Sequence, residues 1–320
     1  MDTENKNNSN EALIRDVVMF AHEEQRRARR WITAGRVTKT VIFFCFIIVA
    51  YFIGGRDSSK TAGGTSGTPH IAYVEVVGAI GQGGLADADK LIPALKRAFV
   101  AKHSKAIVLK INSGGGSPVH SNRVFRQIML LKKEHTDKKV YAVVDDIGAS
   151  GAYYIASAAD VIIADPTSIV GSIGVISSSF GYKGLIDKVG IERRVLTAGA
   201  NKNFLDPYKP MLEKDEMYMK SVLAEIHDQF IKSVREGRGD RLKETPDMFS
   251  GLIWTGEGAI KHGLVDQLGD IYTVASLELS EEEKKENLVN YSARPDLMKQ
   301  LFSRASLEFQ QVFSDSWSLK

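Results

Sequence analysis

Two glycine-framed turns carry the residues able to do chemistry. In residues 148–154, Gly-Ala-Ser-Gly-Ala-Tyr-Tyr, Ser150 directly follows one apolar run and directly precedes another. A serine between small residues at a strand-to-helix turn is open to a carbonyl, and the N–H of Gly151 at the helix start lies beside it. The chemistry this permits is acyl transfer. The same position also suits a serine that merely caps a helix, and the turn alone does not separate the two readings. The spacing is not G-x-S-x-G, because Ala152 stands where the second glycine belongs, which disfavours the α/β-hydrolase elbow. The other turn is residues 112–118, Asn-Ser-Gly-Gly-Gly-Ser-Pro. Three successive glycines let backbone N–H groups face outward, a nest suited to a phosphate or to the oxyanion of acyl transfer. Neither the Gly-Lys-Ser/Thr of a P-loop nor the G-x-G-x-x-G spacing of a dinucleotide site is present there.

A serine hydroxyl is a poor nucleophile until a base removes its proton. His120 is the histidine nearest a glycine loop, which allows a Ser-His-Asp arrangement of Ser150, His120 and Asp145 or Asp146. His103, His135, His227 and His262 read as solvated helix residues, and Asp160 and Asp165, flanking a strand, as caps or ion-pair partners. A lysine can serve as base only where apolar surroundings lower its pKa. Lys202 lies between Ala198-Gly199-Ala200-Asn201 and Asn203-Phe204-Leu205, a largely small or apolar setting, with Asp206 four residues on. Taken by itself it still reads as a solvated loop lysine. The single cysteine, Cys45, sits in an apolar run, so no intramolecular disulfide, zinc site or thiol nucleophile can be built from cysteine. A net charge of +3 over 320 residues, with no basic stripe interleaved with aromatics in the globular part, argues against a nucleic-acid partner. No metal and no cofactor are expected.

The elements that must position these turns alternate short apolar strands with amphipathic helices, the pattern of an α/β layer structure. Strands are predicted over residues 71–78, 106–112, 140–147 and 161–166. Helices are predicted over 87–100, 119–134, 151–159 and 212–236. Helical crossovers imply parallel pairing. Met219, Leu223, Ile226, Phe230 and Val234 form one stripe of the long helix, which points to core or subunit contact.

The first seventy residues define topology. Residues 41–53 are all apolar, and residues 37–55 hold one charge, Lys39, near an end where it can reach the headgroups. Arg26, Arg27, Arg29, Arg30, Arg36 and Lys39 precede the run, while only Arg56 and Lys60 follow it closely. The positive-inside bias therefore puts the N-terminus in the cytosol and the body outside. A cleaved signal peptide is the competing reading, disfavoured by the long polar leader and by the lack of an A-x-A site. The expected organisation is a cytosolic basic leader (1–36), a transmembrane anchor (37–55), a flexible linker (56–70), a catalytic domain (71–280) and a C-terminal extension (281–320). That extension opens on a charged run, and the sequence after it reads as a short strand and an amphipathic helix.

Five blocks, residues 111–118, 148–160, 171–176, 198–207 and 254–269, resemble in order and spacing the signal peptide peptidase A family of serine proteases. The resemblance spans roughly residues 71–277, and the N-terminal anchor is similar to that of the family's short, single-catalytic-domain members. It implies a Clp-protease/crotonase-like fold and a Ser/Lys dyad. By the motif match Ser150 takes the place of the nucleophile, Lys202 of the general base and Ser172 of the hydroxyl that orients the lysine. The N–H groups of Gly115 and Gly151 match the oxyanion hole. The chain departs from the family at Gly114, where a proline is usual. The resemblance further implies remnant signal peptides and other extracytoplasmic polypeptides as substrates, a bacterial cytoplasmic-membrane location, and a ring-like homo-oligomer, with the dyad formed either within one subunit or between neighbouring ones. A crotonase-like acyl-CoA enzyme and a non-catalytic membrane scaffold of the same fold stand as alternatives.

Overall fold

The computed structural model of the chain describes residues 67–280 and 287–293. The basic leader, the expected span at 37–55, most of the linker and most of the C-terminal extension lie outside the described residues. Among the described residues, no helix is long and apolar enough to cross a membrane.

Strands β1 (His70–Val77), β2 (Ser104–Ser113) and β3 (Lys139–Ala149) pair in parallel at the centre of one sheet. Helix α1 (Ala88–Val100) joins β1 to β2, and α2 (Pro118–Glu134) joins β2 to β3. Sequence sets these boundaries through caps. The Asp87 side chain accepts from Asp89 N at the head of α1, and Ser117 caps α2 with Pro118 in its first turn, where a missing N–H costs nothing. The Asp89 and Gly83 N–H groups also hold the Asp87 carboxyl below the usual carboxylate range.

The central strands read as near-continuous apolar runs because both faces of the sheet are covered. Val74, Val76, Leu109, Ile111, Ala142 and Val144 point to one side, packing with Leu91, Leu95 and Phe99 of α1 and Phe125 and Ile128 of α2. Their neighbours Ile71, Val108, Tyr141 and Val143 point to the other, against Val274, Ala275 and Leu279. This period of two is the pleat itself.

β3 is long enough to pair twice on one side. Its first half, from Tyr141 to Val144, pairs with β4 (Val161–Ala164), and its last residues, Ile147 to Ala149, pair with β5 (Ile169–Gly171). β6 (Ile253–Thr255) adds antiparallel to β5, β7 (Gln267–Leu268) pairs with β4, and β8 (Leu288–Asn290) closes the far edge against β1. The short strand expected after residue 281 is therefore present as β8.

Among the described residues, five α-helices follow the central α/β units: α3 (Gly151–Ala156), α4 (Lys183–Lys188), the long α5 (Glu213–Arg238), α6 (Gly256–Lys261) and α7 (Ile271–Glu278). The expected stripe of α5 divides in two. Phe230 and Val234 are buried in the core, whereas Met219, Leu223 and Ile226 are half-buried, with Met217 and Tyr218 exposed.

The C-terminal end of α5 is held by Arg238, which is 0% exposed. Its guanidinium donates to both Asp266 carboxylate oxygens, at 2.8 and 2.7 Å, and twice to Gly263 O. Burial would raise the Asp266 carboxyl, but Arg238 and the Ile162 N–H outweigh it and hold the group below its ordinary value. As pH falls, the unfolded chain therefore takes up this proton before the folded one does. The stabilisation is present above the unfolded pKa, near about 4, and is lost on further acidification through the lower folded value. Arg238→Ala, which strands the buried carboxylate, is expected to cost about 3–5 kcal/mol in urea unfolding at neutral pH. Asp266→Asn should flatten the acid limb of the stability curve.

Candidate active site

Ser150 sits between the end of β3 and the start of α3 with φ 53° and ψ −124°. That is a sparsely populated region for a residue with a Cβ, costing about 1–3 kcal/mol, so it persists only where surrounding structure imposes it. Here the Ser150 N–H donates to Gly171 O at 2.8 Å and its carbonyl accepts from Tyr154 N at 2.9 Å. Beyond it every residue of α3 is buried, and Tyr153 donates its hydroxyl to Leu264 O. Although Ser150 occupies the N-cap position, its side chain makes no cap hydrogen bond. The capping role therefore gives no reason for this serine, and the half-buried hydroxyl is left for other use.

The first glycine turn packs directly against it. Gly115 is buried with φ 100°, and a Cβ there would stand 2.7 Å from Gly151 N and 2.8 Å from the Ser150 Cβ. Gly116, at φ 150°, lies so close to Ile80 that a Cβ would meet its carbonyl oxygen at 2.2 Å. The loop is pinned by Ile80 N donating to Gly115 O and Ser117 N donating to Ile80 O. Ser113 Oγ donates to Gly78 O at 2.6 Å and accepts the Gly115 N–H at 3.1 Å. The Gly151 N–H, first of α3, is one of the donors that a helix start leaves without an intrahelical acceptor. Glycine at 115 thus lets two backbone segments meet beside the Ser150 hydroxyl. On the sequence-based expectation that the Gly115 N–H serves an oxyanion, Gly115→Ala should lower kcat/KM for peptide cleavage by about 100-fold or more, measured with a fluorogenic peptide.

Ser172 follows β5 and also has positive φ, 50°. Its N–H donates to Leu252 O, while the preceding carbonyl, that of Gly171, receives the Ser150 N–H. The Ser150 and Ser172 backbones are thereby joined through Gly171. The carbonyl of the residue after Ser172, Ile173, lies 3.0 Å from His227 Nε2 on α5. A carbonyl only accepts, so Nε2 carries the proton. His227, a solvated helix residue by sequence, is half-buried and tethers the Ser172 loop to α5. No local pattern marks such a residue, because its partner is a backbone carbonyl far away in the chain.

Lys202 lies on a turn closed by its own N–H donating to Gly199 O and is exposed. The long connection that carries it, residues 175–212, buries almost nothing, and among its side chains Ile176 is 87% exposed, Phe180 77% and Leu196 99%. Among the described residues no hydrogen bond or ion pair links Lys202 to Ser150 or Ser172.

The histidine alternative is not assembled. His120 Nδ1 faces Ala88 N at 3.2 Å and Asp87 at 3.3 Å, at the head of α1. Asp145 pairs with Lys110, and Asp146 accepts from Asn112 Nδ2. Asp160 and Asp165 act as expected: the first accepts from Val140 N and pairs with Lys132, the second accepts from Thr167.

A model of the peptidase family S49 matches residues 132–285. The chain is 32% identical over 205 residues to a putative protease of Synechocystis, covering 64% of this chain and 72% of that one. It is 33% identical over 192 residues to a putative signal peptide peptidase of Enterococcus faecium, covering 60% and 54%. It is 49% identical over 206 residues to a Brucella melitensis protein named Na(+)/H(+) antiporter NhaA, covering 63% of this chain but only 28% of that one. With a mixed α/β sheet and a turn suited to acyl transfer, these matches place the chain in a family of peptidases, although it spans only 28% of the Brucella relative and 54% of the Enterococcus one. It belongs to peptidase family S49, that of the signal peptide peptidase A proteins.

Proposed function

We propose that the chain is a membrane-anchored serine endopeptidase that uses Ser150 as nucleophile and Lys202 as general base. The observation that carries this reading is the strained turn at Ser150, which leaves a hydroxyl free of any capping duty where the Ser150 Cβ and the Gly151 N pack against Gly115. Strain of this kind is stored where function needs it.

Lys202 takes the hydroxyl proton as Ser150 Oγ attacks the scissile carbonyl. The Gly115 and Gly151 N–H groups stabilise the oxyanion, Gly115 turning its donor from Ser113 Oγ to do so. Collapse breaks the C–N bond, and the lysine proton passes to the leaving amine. Water then attacks the ester, again through Lys202, releasing the acid and restoring the serine. Ser172 orients the amine.

Exposure of Lys202 on an arm bristling with apolar side chains supports assembly into a ring-like homo-oligomer, in which a neighbouring copy dries the lysine and supplies the opposing serine. The arrangement proposed for the domain is Clp-protease/crotonase-like. The apolar run at 37–55 anchors it in a bacterial cytoplasmic membrane with the catalytic domain outside, where remnant signal peptides and other extracytoplasmic polypeptides are substrates. Extended peptide docks by strand addition, for which residues 175–180, outside any strand, offer an edge. Cleavage of a fluorogenic peptide by the full chain, lost on Ser150→Ala, tests the reading; cleavage that survives the change overturns it.

A further inference from the structure

Residues 175–212 have no core of their own to fix the turn that carries Lys202, so something else must hold it. Around Asp206 the two legs of this connection are clasped together. Tyr182 N, at the start of the outgoing leg, donates to Pro207 O at 2.6 Å. Further along that leg, the Arg193 guanidinium pairs with Asp206 Oδ1, and the same oxygen accepts from Tyr208 N at 3.0 Å. The guanidinium also lies 4.7 Å from the centre of the Tyr208 ring, which in turn faces Tyr182 at 5.6 Å. Lys202 sits on the chain between these clasped points, and Phe204 meets Tyr218 of α5 edge-on at 5.6 Å.

In a segment that has no fully buried residue, the Asp206 side chain is 4% exposed, and its Oδ2 is buried with no partner. An asparagine or serine would satisfy Tyr208 N without burying a charge, so local stability alone is a poor reason for a carboxylate here. What the charge adds is a fixed tie to Arg193, with Leu205 beside it held at φ 52°.

We propose that Asp206 and Arg193 form a positioning pair that sets the direction in which the Lys202 turn presents its amine. This rests on Lys202 being the general base. The pair touches no substrate, and its influence passes entirely through Lys202.

The test compares Asp206→Asn, Arg193→Lys, Lys202→Ala and the double variant Asp206→Asn/Lys202→Ala in the full chain. Cleavage of a fluorogenic peptide with alanine before the scissile bond is the readout. Asp206→Asn keeps the shape and the Tyr208 acceptor but breaks the ion pair. It is expected to lower kcat by about 10–100-fold, with KM within about twofold, because a base displaced by an ångström loses its alignment. Arg193→Lys, which keeps the charge but not the planar stack on Tyr208, should fall between. The double variant should be no slower than Lys202→Ala alone. Unchanged kcat in both single variants overturns the proposal, as does further loss from Asp206→Asn in the Lys202→Ala background. Full activity in Lys202→Ala instead removes the base assignment itself, and the positioning role falls with it. Thermal melting of each variant separates these results from unfolding. The main cooperative transition is expected to stay in place, because the clasp lies outside both hydrophobic clusters of the sheet.

Discussion

With Ser150 as the proposed nucleophile, Ser150→Ala is expected to reduce kcat for peptide cleavage by about 10⁴–10⁶-fold, because no other group replaces the covalent step. Stability should not follow activity down. The hydroxyl makes no capping bond, so its removal takes nothing from the fold. Ser150→Gly should be equally inactive yet more stable by about 1 kcal/mol, since glycine accepts φ 53° and ψ −124° without strain. Chemical denaturation of the two variants beside the parent reads both effects. Loss of activity together with a comparable loss of stability would make Ser150 a structural residue.

The second large effect belongs to Lys202→Ala, expected from the proposed base role to lower kcat by about 10⁴-fold on the same substrate. If neighbouring copies share each site, mixing separately inactive Ser150→Ala and Lys202→Ala chains should restore turnover. In a random mixture about a quarter of the sites would hold one intact serine opposite one intact lysine. Dilution that dissociates the copies should abolish turnover while the subunits stay folded. Undiminished activity in a dilute monomer would refute sharing of the site, and wild-type rates in Lys202→Ala would remove the lysine from the mechanism.

Much of the frame was legible because its physics is local. The runs that became β1, β2 and β3 are apolar on both faces, and Asp87 and Ser117 mark the helix starts. Strands β5, β6 and β7 were not readable, being two or three residues long and defined by partners far away in sequence. The extension of β3 to Ala149 has the same cause: its last residues are in register with Ile169 to Gly171, which no pattern within β3 announces.

The site divides in the same way. Ser150 and the glycine loop stand out because a small residue at a strand-to-helix turn is a local signal. Gly115 is explained only by the approach of a second backbone, to which a Cβ would stand 2.7 Å away. Lys202 gains its assignment from a block pattern rather than its neighbours, and the chain by itself leaves the amine exposed. His227 and Arg193 were silent because each acts on a group far along the chain, the Ile173 carbonyl and the Asp206 carboxylate. Long-range pairing is what a single sequence hides best.

The most direct measurement is mass spectrometry of the assembled full chain after treatment with a serine-directed acylating probe, with and without Lys202→Ala. The account predicts one adduct per chain, on the peptide containing Ser150, that disappears when the lysine is replaced. An adduct on another serine, or labelling of Ser150 that is indifferent to Lys202, would contradict it.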